Sequence, residues 1–387
     1  MEALEGLKVL DLSRLLPFEY CTMILGDMGA NILKIEEPEH GDYMRELPPA
    51  YKKENVLFLL LNRNKKSMTL NLKEEKGKEI FLNLVKDYDV LFESFRPGVM
   101  KKLGLDYEVV KKINPKIIYC AATGYGQYGV YSQKPGHDIN YISIAGILGK
   151  TGLNEPVIPG IPVADMTIGV YAALSILAAL IARTKTGEGQ FIDISMTDCM
   201  LSYNILNIGY HLSKDINEKM EIRGEAPYYN VYKTKDGKYI SIGNIEYKFW
   251  EAFCKGIKRD DLMEQHGLKK NKEEKERLKK ELEKIFKEKN RDEWIEIFDG
   301  INTCVTPVNT IEEVFDEKVF NERDMFCEIE HPVEGKIKQV ALPIKLSKTP
   351  SKIKTPPPLL GEHTEDILKS LGYSEEKIID FKKLKII

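Results

Sequence analysis

Two side chains that could transfer protons, an imidazole and a carboxylate, stand out between residues 136 and 165. His137 lies between Gly136 and Asp138, and Asp165 precedes an apolar stretch with helical spacing. Imidazole and carboxylate groups are common acids and bases in enzymes. Each also has a structural interpretation, because a lone histidine is more often structural and an aspartate ahead of a helix usually caps it. The residues alone leave both interpretations open.

A candidate anion site lies at residues 95–98, where Arg96 stands in a Phe-Arg-Pro-Gly segment after an apolar run. A guanidinium in such a loop could form paired hydrogen bonds with a phosphate, and a surface arginine in a turn is the equally acceptable alternative. Two glycine-rich segments, residues 26–29 and 124–129, lack the spacing and strand-to-helix order of a dinucleotide fingerprint. We therefore expect no nicotinamide or flavin cofactor.

Composition and cysteine usage predict a cytoplasmic protein without a metal site. The six cysteines are scattered, with no Cys-x-x-Cys pair, and read as reduced, buried thiols. Residues 1–6 carry two acids and no targeting pattern. The formal net charge of -3 offers no general attraction for nucleic acid or an anionic membrane.

Alternating apolar runs and helical patterns predict the element that must position these residues. Strand-like runs and helical patterns alternate over the first 121 residues, with strands at 8–12, 30–36, 89–93 and 116–121 and helices at 20–28, 76–86 and 107–114. This alternation favours a doubly wound, Rossmann-like α/β domain with a parallel sheet. Ligands in such a domain bind at the carboxyl ends of the strands.

The length of 387 residues favours two domains. We predict a large α/β domain at residues 1–210 and 325–387 and a smaller α+β domain at 215–317, with linkers near 205–225 and 310–330. The longest apolar stretch, residues 168–182, falls short of the ~18 residues that a membrane span needs. We expect a buried core helix there and no membrane association.

Motifs spread along the chain, in one consistent order, resemble the family III CoA-transferase and alpha-methylacyl-CoA racemase superfamily. The motifs occupy residues 4–11, 27–30, 95–99, 184–190, 306–310 and 359–364. Further motifs resemble the racemase branch more closely, at residues 136–141, 164–165, 226–229 and 242–246. His137 decides between the branches, because the transferase branch keeps the aspartate and usually lacks the histidine.

The resemblance implies a racemase that inverts the alpha carbon of 2-methyl-branched acyl-CoA thioesters, with a place in lipid metabolism. His137 and Asp165 would be the two bases that flank the carbon, and Glu246 would orient His137. Donors to the enolate oxygen would come from the amide end of the helix near Asp165 and from the glycine-containing loop. The family-based CoA contacts are Leu70, Asn71, Leu72, Lys73, Arg96, Gly136, Asp138, Ile139, Asn140, Tyr141 and Tyr229.

The transferase branch remains the alternative, in which Asp165 would attack the thioester carbonyl and pass CoA to a carboxylate through an aspartyl-CoA intermediate. In either branch coenzyme A arrives as part of the substrate, so no separate cofactor is expected. Family likeness also implies an intertwined homodimer.

One position departs from the racemase pattern. Glu37 stands where racemases commonly carry an arginine, and its carboxylate would repel a phosphate of CoA. Either Lys34, Arg45 or Arg63 replaces that arginine, or the nucleotide of CoA is bound in a different position.

Overall fold

The computed structural model describes residues 1–213, 223–267 and 271–387, which form two compact units. The first unit comprises Met1–Ala145, Pro159–Tyr203 and Glu322–Ile387, and the second comprises Gly146–Ile158 and Asn204–Asn321. The segment Gly146–Ile158 therefore belongs to the second unit, whereas the sequence-based boundaries assign it to the large domain. Residues 214–222, within the predicted linker, and residues 268–270, within the predicted small domain, lie outside the described residues.

A six-stranded parallel sheet forms the centre of the first unit. Its strands are β1 (Lys8–Leu12), β2 (Asn31–Glu36), β3 (Lys65–Thr69), β4 (Val90–Glu93), β5 (Ile118–Thr123) and β6 (Gln190–Ser195). The spatial order is β3-β2-β1-β4-β5-β6, and every neighbouring pair is parallel. This is the strand order of a doubly wound fold, and the order reverses between β1 and β4. The predicted parallel α/β sheet is thus confirmed.

Strand β3 was not predicted, because its sequence is polar. Lys65 and Ser67 are nevertheless buried. The Lys65 ammonium donates to the Asn62 side-chain oxygen at 2.9 Å and lies 3.5 Å from Asp11 Oδ2, and the Ser67 hydroxyl donates to Glu36 at 2.6 Å. Contacts with neighbouring elements thus satisfy polar groups that would otherwise be costly to bury.

Helices cover the sheet, and their apolar residues recur at the spacing that places them on one face of each helix. They are α1 (Leu16–Asp27), α2 (Val56–Leu61), α3 (Glu75–Val85), α4 (Val99–Leu103), α5 (Tyr107–Ile113), α6 (Asp138–Ile144), α7 (Val163–Thr186) and α8 (Met196–Tyr203). One face of α3, with Ile80, Phe81, Leu84 and Val85, joins a core formed with the strands. Helix α7 packs against α1 closely enough that a Cβ on Gly169 would lie 2.8 Å from the Pro17 carbonyl oxygen.

Helix α7 is longer and less buried than the core helix expected at residues 168–182. It has 24 residues, and it is the one helix in the described ranges whose length and composition would allow it to cross a membrane. That is weak evidence of a membrane span, because the core helix of a globular protein passes the same test. Only 44% of its most apolar 18-residue segment is buried. The side chains of Val170, Leu174 and Ile181 are 45%, 58% and 62% exposed.

The second unit has its own core and a small antiparallel sheet. Its helices and strands are α9 (Ile205–Leu212), β7 (Tyr229–Lys233), β8 (Tyr239–Gly243), α10 (Tyr247–Gly256), α11 (Lys272–Phe286), α12 (Arg291–Phe298), β9 (Val305–Pro307), α13 (Ile311–Val314) and α14 (Lys318–Asn321). The sheet order is β7-β8-β9. Buried aromatic side chains, including Trp250, Phe253 and Phe286, fill the core.

The carboxyl-terminal segment returns to the first unit as a hairpin, an extended strap and two helices. The elements are β10 (Phe326–His331), β11 (Gly335–Val340), α15 (Thr364–Ser370) and α16 (Glu375–Lys383). The Pro-rich segment between β11 and α15 runs beside β3, where the Gly361 amide donates to the Ser67 hydroxyl at 2.9 Å. The cysteine prediction holds for four thiols, whereas Cys304 is exposed and Cys327 is only partly buried.

Candidate active site

Asp138 joins the amino-terminal ends of α6 and α7. Its Oδ1 atom accepts hydrogen bonds from the backbone N–H of Ala164 at 2.6 Å and from that of Asp165 at 3.3 Å. Helix α6 begins directly after His137, and Asp165 is the third residue of α7. The structure therefore brings the two predicted acid–base residues to adjoining helix ends, although 28 residues separate them in sequence.

The capping interpretation of Asp165 is wrong. The N-cap position of α7 is occupied by Pro162, and the acceptor for the first amides is the Asp138 carboxylate from another helix. Asp165 lies inside the first turn of α7, and the Ala164 and Asp165 amides donate to Asp138 and not to the Asp165 carboxylate. These two amides are thus engaged by Asp138, which removes two of the enolate donors expected at this end of α7.

Burial and a neighbouring charge adjust Asp165 for proton transfer near neutral pH. Its pKa is raised to about 6, first by burial and then by the Asp138 carboxylate. A carboxyl group with such a pKa exchanges protons readily near neutral pH. His137 is exposed, and its backbone N–H donates to the Asn140 side-chain oxygen at 3.0 Å, which fixes the start of α6.

Tyr141 lies behind these helix ends, in space that two glycines leave open. A Cβ on Gly136 would lie 2.9 Å from the Tyr141 ring, and one on Gly124 would collide with its hydroxyl group. The pKa of Tyr141 is raised to about 12, first by burial and then by the charges of Tyr125 and Asp165, and the positive charge of Arg96 opposes this rise. Asp165 and Arg96 therefore act electrostatically on one buried side chain.

A cleft of about 480 Å³ opens at the carboxyl ends of β1 and β4, where the strand order reverses. It is lined by Leu12, Arg14, Ile35, Glu36, Glu37, His40, Gly41, Tyr43, Glu46, Leu70, Asn71, Leu72, Lys73, Phe95, Val99 and Leu103. The predicted CoA segment, residues 70–73, thus lines a cleft at the ligand position of a doubly wound fold. Arg96 follows Phe95 in the same loop, whose Pro97 carbonyl accepts a 3.1 Å hydrogen bond from Gln133.

Arg14 and Tyr43 also line this cleft, and neither was predicted from the sequence. The signal for Arg14 was its place two residues after β1, because carboxyl-end loops at the reversal point of a doubly wound sheet carry ligand contacts. Tyr43 lies in a short 3₁₀ helix, Tyr43–Arg45, which no sequence pattern indicated.

The three cations expected to compensate for Glu37 are all engaged inside the first unit. The buried Lys34 ammonium lies 2.8 Å from Asp42 and 3.0 Å from Glu19. Arg45 forms a two-point pair with Glu36 at 2.8 Å, and Arg63 pairs with Asp27 at 2.7 Å. None of the three lines the cleft. All three cations are therefore held in ion pairs away from the cleft that residues 70–73 line.

Glu246 and Tyr229 belong to the second unit. Glu246 is exposed and occupies the N-cap position of α10, where its carbonyl oxygen accepts from the amides of Phe249 and Trp250. The loop that carries it is fixed by buried Asn244, whose side-chain oxygen accepts from Thr303 and Cys304 at 2.9 Å. Tyr229 begins β7 opposite Gly243.

The sequence profile of CoA-transferase family III matches residues 4–364. The chain belongs to CoA-transferase family III. The resemblance drawn from its motifs is thereby confirmed. This family III chain is 36% identical to human alpha-methylacyl-CoA racemase, covering all of this chain and 97% of the relative. It is 35% identical to human succinyl-CoA:glutarate CoA-transferase, covering 98% of this chain and 88% of the relative.

Solved structures of family III proteins share the fold. A CAIB/BAIF family protein from Brucella suis superposes with a TM-score of 0.84 at 31% identity, covering 96% of this chain and 99% of that one. Because racemase and transferase relatives occur at similar identity, family III membership establishes an acyl-CoA enzyme class and leaves the reaction to be argued from the site.

Proposed function

We propose that the protein is an acyl-CoA racemase that inverts the alpha carbon of 2-methyl-branched acyl-CoA thioesters. The observation that carries the proposal is the pairing of His137 and Asp165 at adjoining helix ends, with the pKa of Asp165 raised to about 6 by burial and by Asp138. Inversion needs one proton-transfer group on each face of the carbon. An imidazole and a carboxyl group with a near-neutral pKa meet that need.

In the proposed reaction one group removes the alpha proton and leaves an enolate of the thioester. The other group then delivers a proton to the opposite face, and the roles exchange for a substrate of the other hand. Glu246 would accept a hydrogen bond from His137 and fix its orientation, either within one chain or from a second copy. The amides of Asp138 and Ile139 at the start of α6 would donate to the enolate oxygen, since the Asn140 amide donates to the His137 carbonyl and the Ala164 and Asp165 amides donate to Asp138.

The proposal includes a homodimer, which supports the site if a second copy supplies Glu246. The exposed apolar stripe of α7, formed by Val170, Leu174 and Ile181, favours burial against another surface. Burying this apolar stripe in a contact with a second copy would remove it from water, which is favourable.

CoA transfer is the second candidate function, and the 35% identity to succinyl-CoA:glutarate CoA-transferase favours it. Asp165 would then attack the thioester carbonyl, displace the CoA thiolate and form a mixed anhydride with the acyl group. The thiolate would next attack the aspartyl carbonyl, which releases the first carboxylate and leaves an aspartyl-CoA thioester for the acceptor carboxylate. His137 has no required role in that reaction. The presence of His137 beside Asp165 is therefore the reason to rank racemisation first.

Incubation of (2R)- and (2S)-2-methylacyl-CoA in deuterated water separates the two reactions. A racemase incorporates one alpha deuterium into the acyl-CoA and interconverts the two hands with no second substrate, as followed by mass spectrometry and chiral chromatography. Absence of both changes, together with transfer of CoA to added succinate or glutarate, would reject racemisation.

A further inference from the structure

Arg14 lies in the cleft between two aromatic rings. Its guanidinium carbon is 4.9 Å from the centre of the Tyr43 ring and 5.3 Å from that of Phe95. Its Nη1 atom donates to the Tyr43 hydroxyl group at 2.9 Å, and its backbone N–H donates to the Ser94 hydroxyl group at 3.2 Å. The two rings hold the flat guanidinium in place, so most of its five N–H donors stay available.

The partners of Arg14 distinguish it from three other arginines of the first unit. Arg45, Arg63 and Arg183 each bind a carboxylate, with distances of 2.8, 2.7 and 2.9 Å to Glu36, Asp27 and Asp89. The side-chain partners of Arg14 within the described ranges are Tyr43 and Phe95, and neither is charged. Its positive charge is therefore not neutralised by an internal ion pair.

The other charges of the cleft leave few cations for an anionic ligand. Glu37 lines the wall, and Glu46 accepts from the His40 ring at 3.0 Å. Lys73 is the second cation, on the segment that the Asn71 amide anchors to the Ile386 carbonyl at 2.8 Å. An anion that enters past Glu37 therefore has Arg14 and Lys73 to bind.

We propose that Arg14 binds a phosphate of the nucleotide end of coenzyme A and thereby replaces the arginine that Glu37 displaces. This inference rests on the proposed function for its ligand, an acyl-CoA. A planar guanidinium matches two phosphate oxygens with paired hydrogen bonds, and stacking on Tyr43 and Phe95 orients it before the ligand arrives. Specificity for the phosphorylated nucleotide then comes from the loop after β1 and not from the segment after β2.

Calorimetric titration with CoA and with 3'-dephospho-CoA tests the proposal without any turnover. Arg14→Gln is expected to raise the Kd of CoA about 10- to 100-fold, the range for a lost charge-assisted hydrogen bond. Arg14→Lys keeps the charge, loses the paired geometry and should fall between the wild type and Arg14→Gln. Arg323→Gln, which removes an exposed arginine that does not line the cleft, is the matched control and should bind CoA as the wild type does.

The second ligand identifies the phosphate. If Arg14 binds the 3'-phosphate, Arg14→Gln binds dephospho-CoA as tightly as the wild type does, and if it binds the diphosphate, both ligands weaken equally. Either result supports the proposal. A Kd for CoA within twofold of the wild type in a folded Arg14→Gln protein, verified by thermal melting, would overturn it. Because the titration measures binding alone, weakened binding in a protein that shows no alpha exchange rejects the proposed racemase activity and leaves this inference standing.

Discussion

At the scale of a single residue, the charged form of the Asp165 side chain is unfavourable in the folded protein. Its carboxyl group is partly buried and lies near the negatively charged Asp138. The backbone amides of Ala164 and Asp165 donate to the Asp138 carboxylate and not to that of Asp165. Such an arrangement stabilises the protonated form of Asp165 over the charged one. The same features that suit it to proton transfer therefore oppose folding at a pH where it is charged.

Asp165→Asn is expected to stabilise the protein at alkaline pH. Because the folded pKa of Asp165 is raised from 3.8 to about 6, its contribution to stability is complete below pH 3.8 and is lost as the pH rises through 6. The variant should gain roughly 1 to 2 kcal/mol at pH 8, allowing for solvent screening, and nothing near pH 4. Denaturant unfolding at both pH values measures the difference.

Asp366 provides a matched control for this measurement. It is also the third residue of a helix, α15, and it is exposed. Asp366→Asn should lose a few tenths of a kcal/mol at pH 8, because a charge near a helix amino terminus is favourable. Equal responses of the two variants would show that Asp165 is an ordinary helix-end carboxylate.

At the scale of elements, Asp138 couples α6 to α7 in two separable ways. Its oxygen caps α7, and its charge raises the pKa of Asp165. Asparagine keeps the accepting oxygen and removes the charge, whereas alanine removes both. The pair of substitutions therefore distinguishes capping from electrostatics.

Asp138→Asn is expected to move the acidic limb of the pH profile of alpha exchange to lower pH, since Asp165 loses a neighbouring negative charge. Asp138→Ala should in addition lose about 1 kcal/mol of stability through the missing cap. Kinetics across pH 4–9 and denaturant unfolding measure the two effects. An unchanged acidic limb in a stable Asp138→Asn protein would mean that Asp165 does not govern that limb.

The elements differ in how far the sequence predicts them. β1, β2, β4 and β5 were predictable because short apolar runs form strands that are buried on both faces. β3 was not, because Lys65 and Ser67 are satisfied by groups from other elements. The contact from Asp138 to Ala164 spans 26 residues, and no local pattern contains such a contact.

At the scale of the whole molecule, α7 makes an assembly the expected state. Its sequence pattern was read as a core helix, yet Leu174 is 58% exposed. Local periodicity indicates which residues are apolar, but it does not say whether the surface that covers them belongs to the same chain. The domain boundaries illustrate the same limit, since Gly146–Ile158 joins a unit that is distant in sequence.

If the proposed dimer forms through α7, Leu174→Glu is expected to convert it to a monomer, because a charge in an apolar interface is costly to bury. Size-exclusion chromatography with light scattering measures the mass. Lys101→Glu, an exposed charge change on α4, serves as the control and should remain dimeric. A wild-type protein that is monomeric at micromolar concentration would contradict the proposed dimer.

We propose that His137 and Asp165 act on opposite faces of one carbon, and measuring alpha exchange separately for each substrate hand tests these two roles. In deuterated water the wild type should exchange and invert both hands of 2-methylacyl-CoA. His137→Ala and Asp165→Asn should each lose inversion while retaining exchange for one hand only, and the retained hand should differ between the two variants. Full inversion by His137→Ala, or loss of exchange for the same substrate hand in both variants, would reject the assignment of His137 and Asp165 to opposite faces.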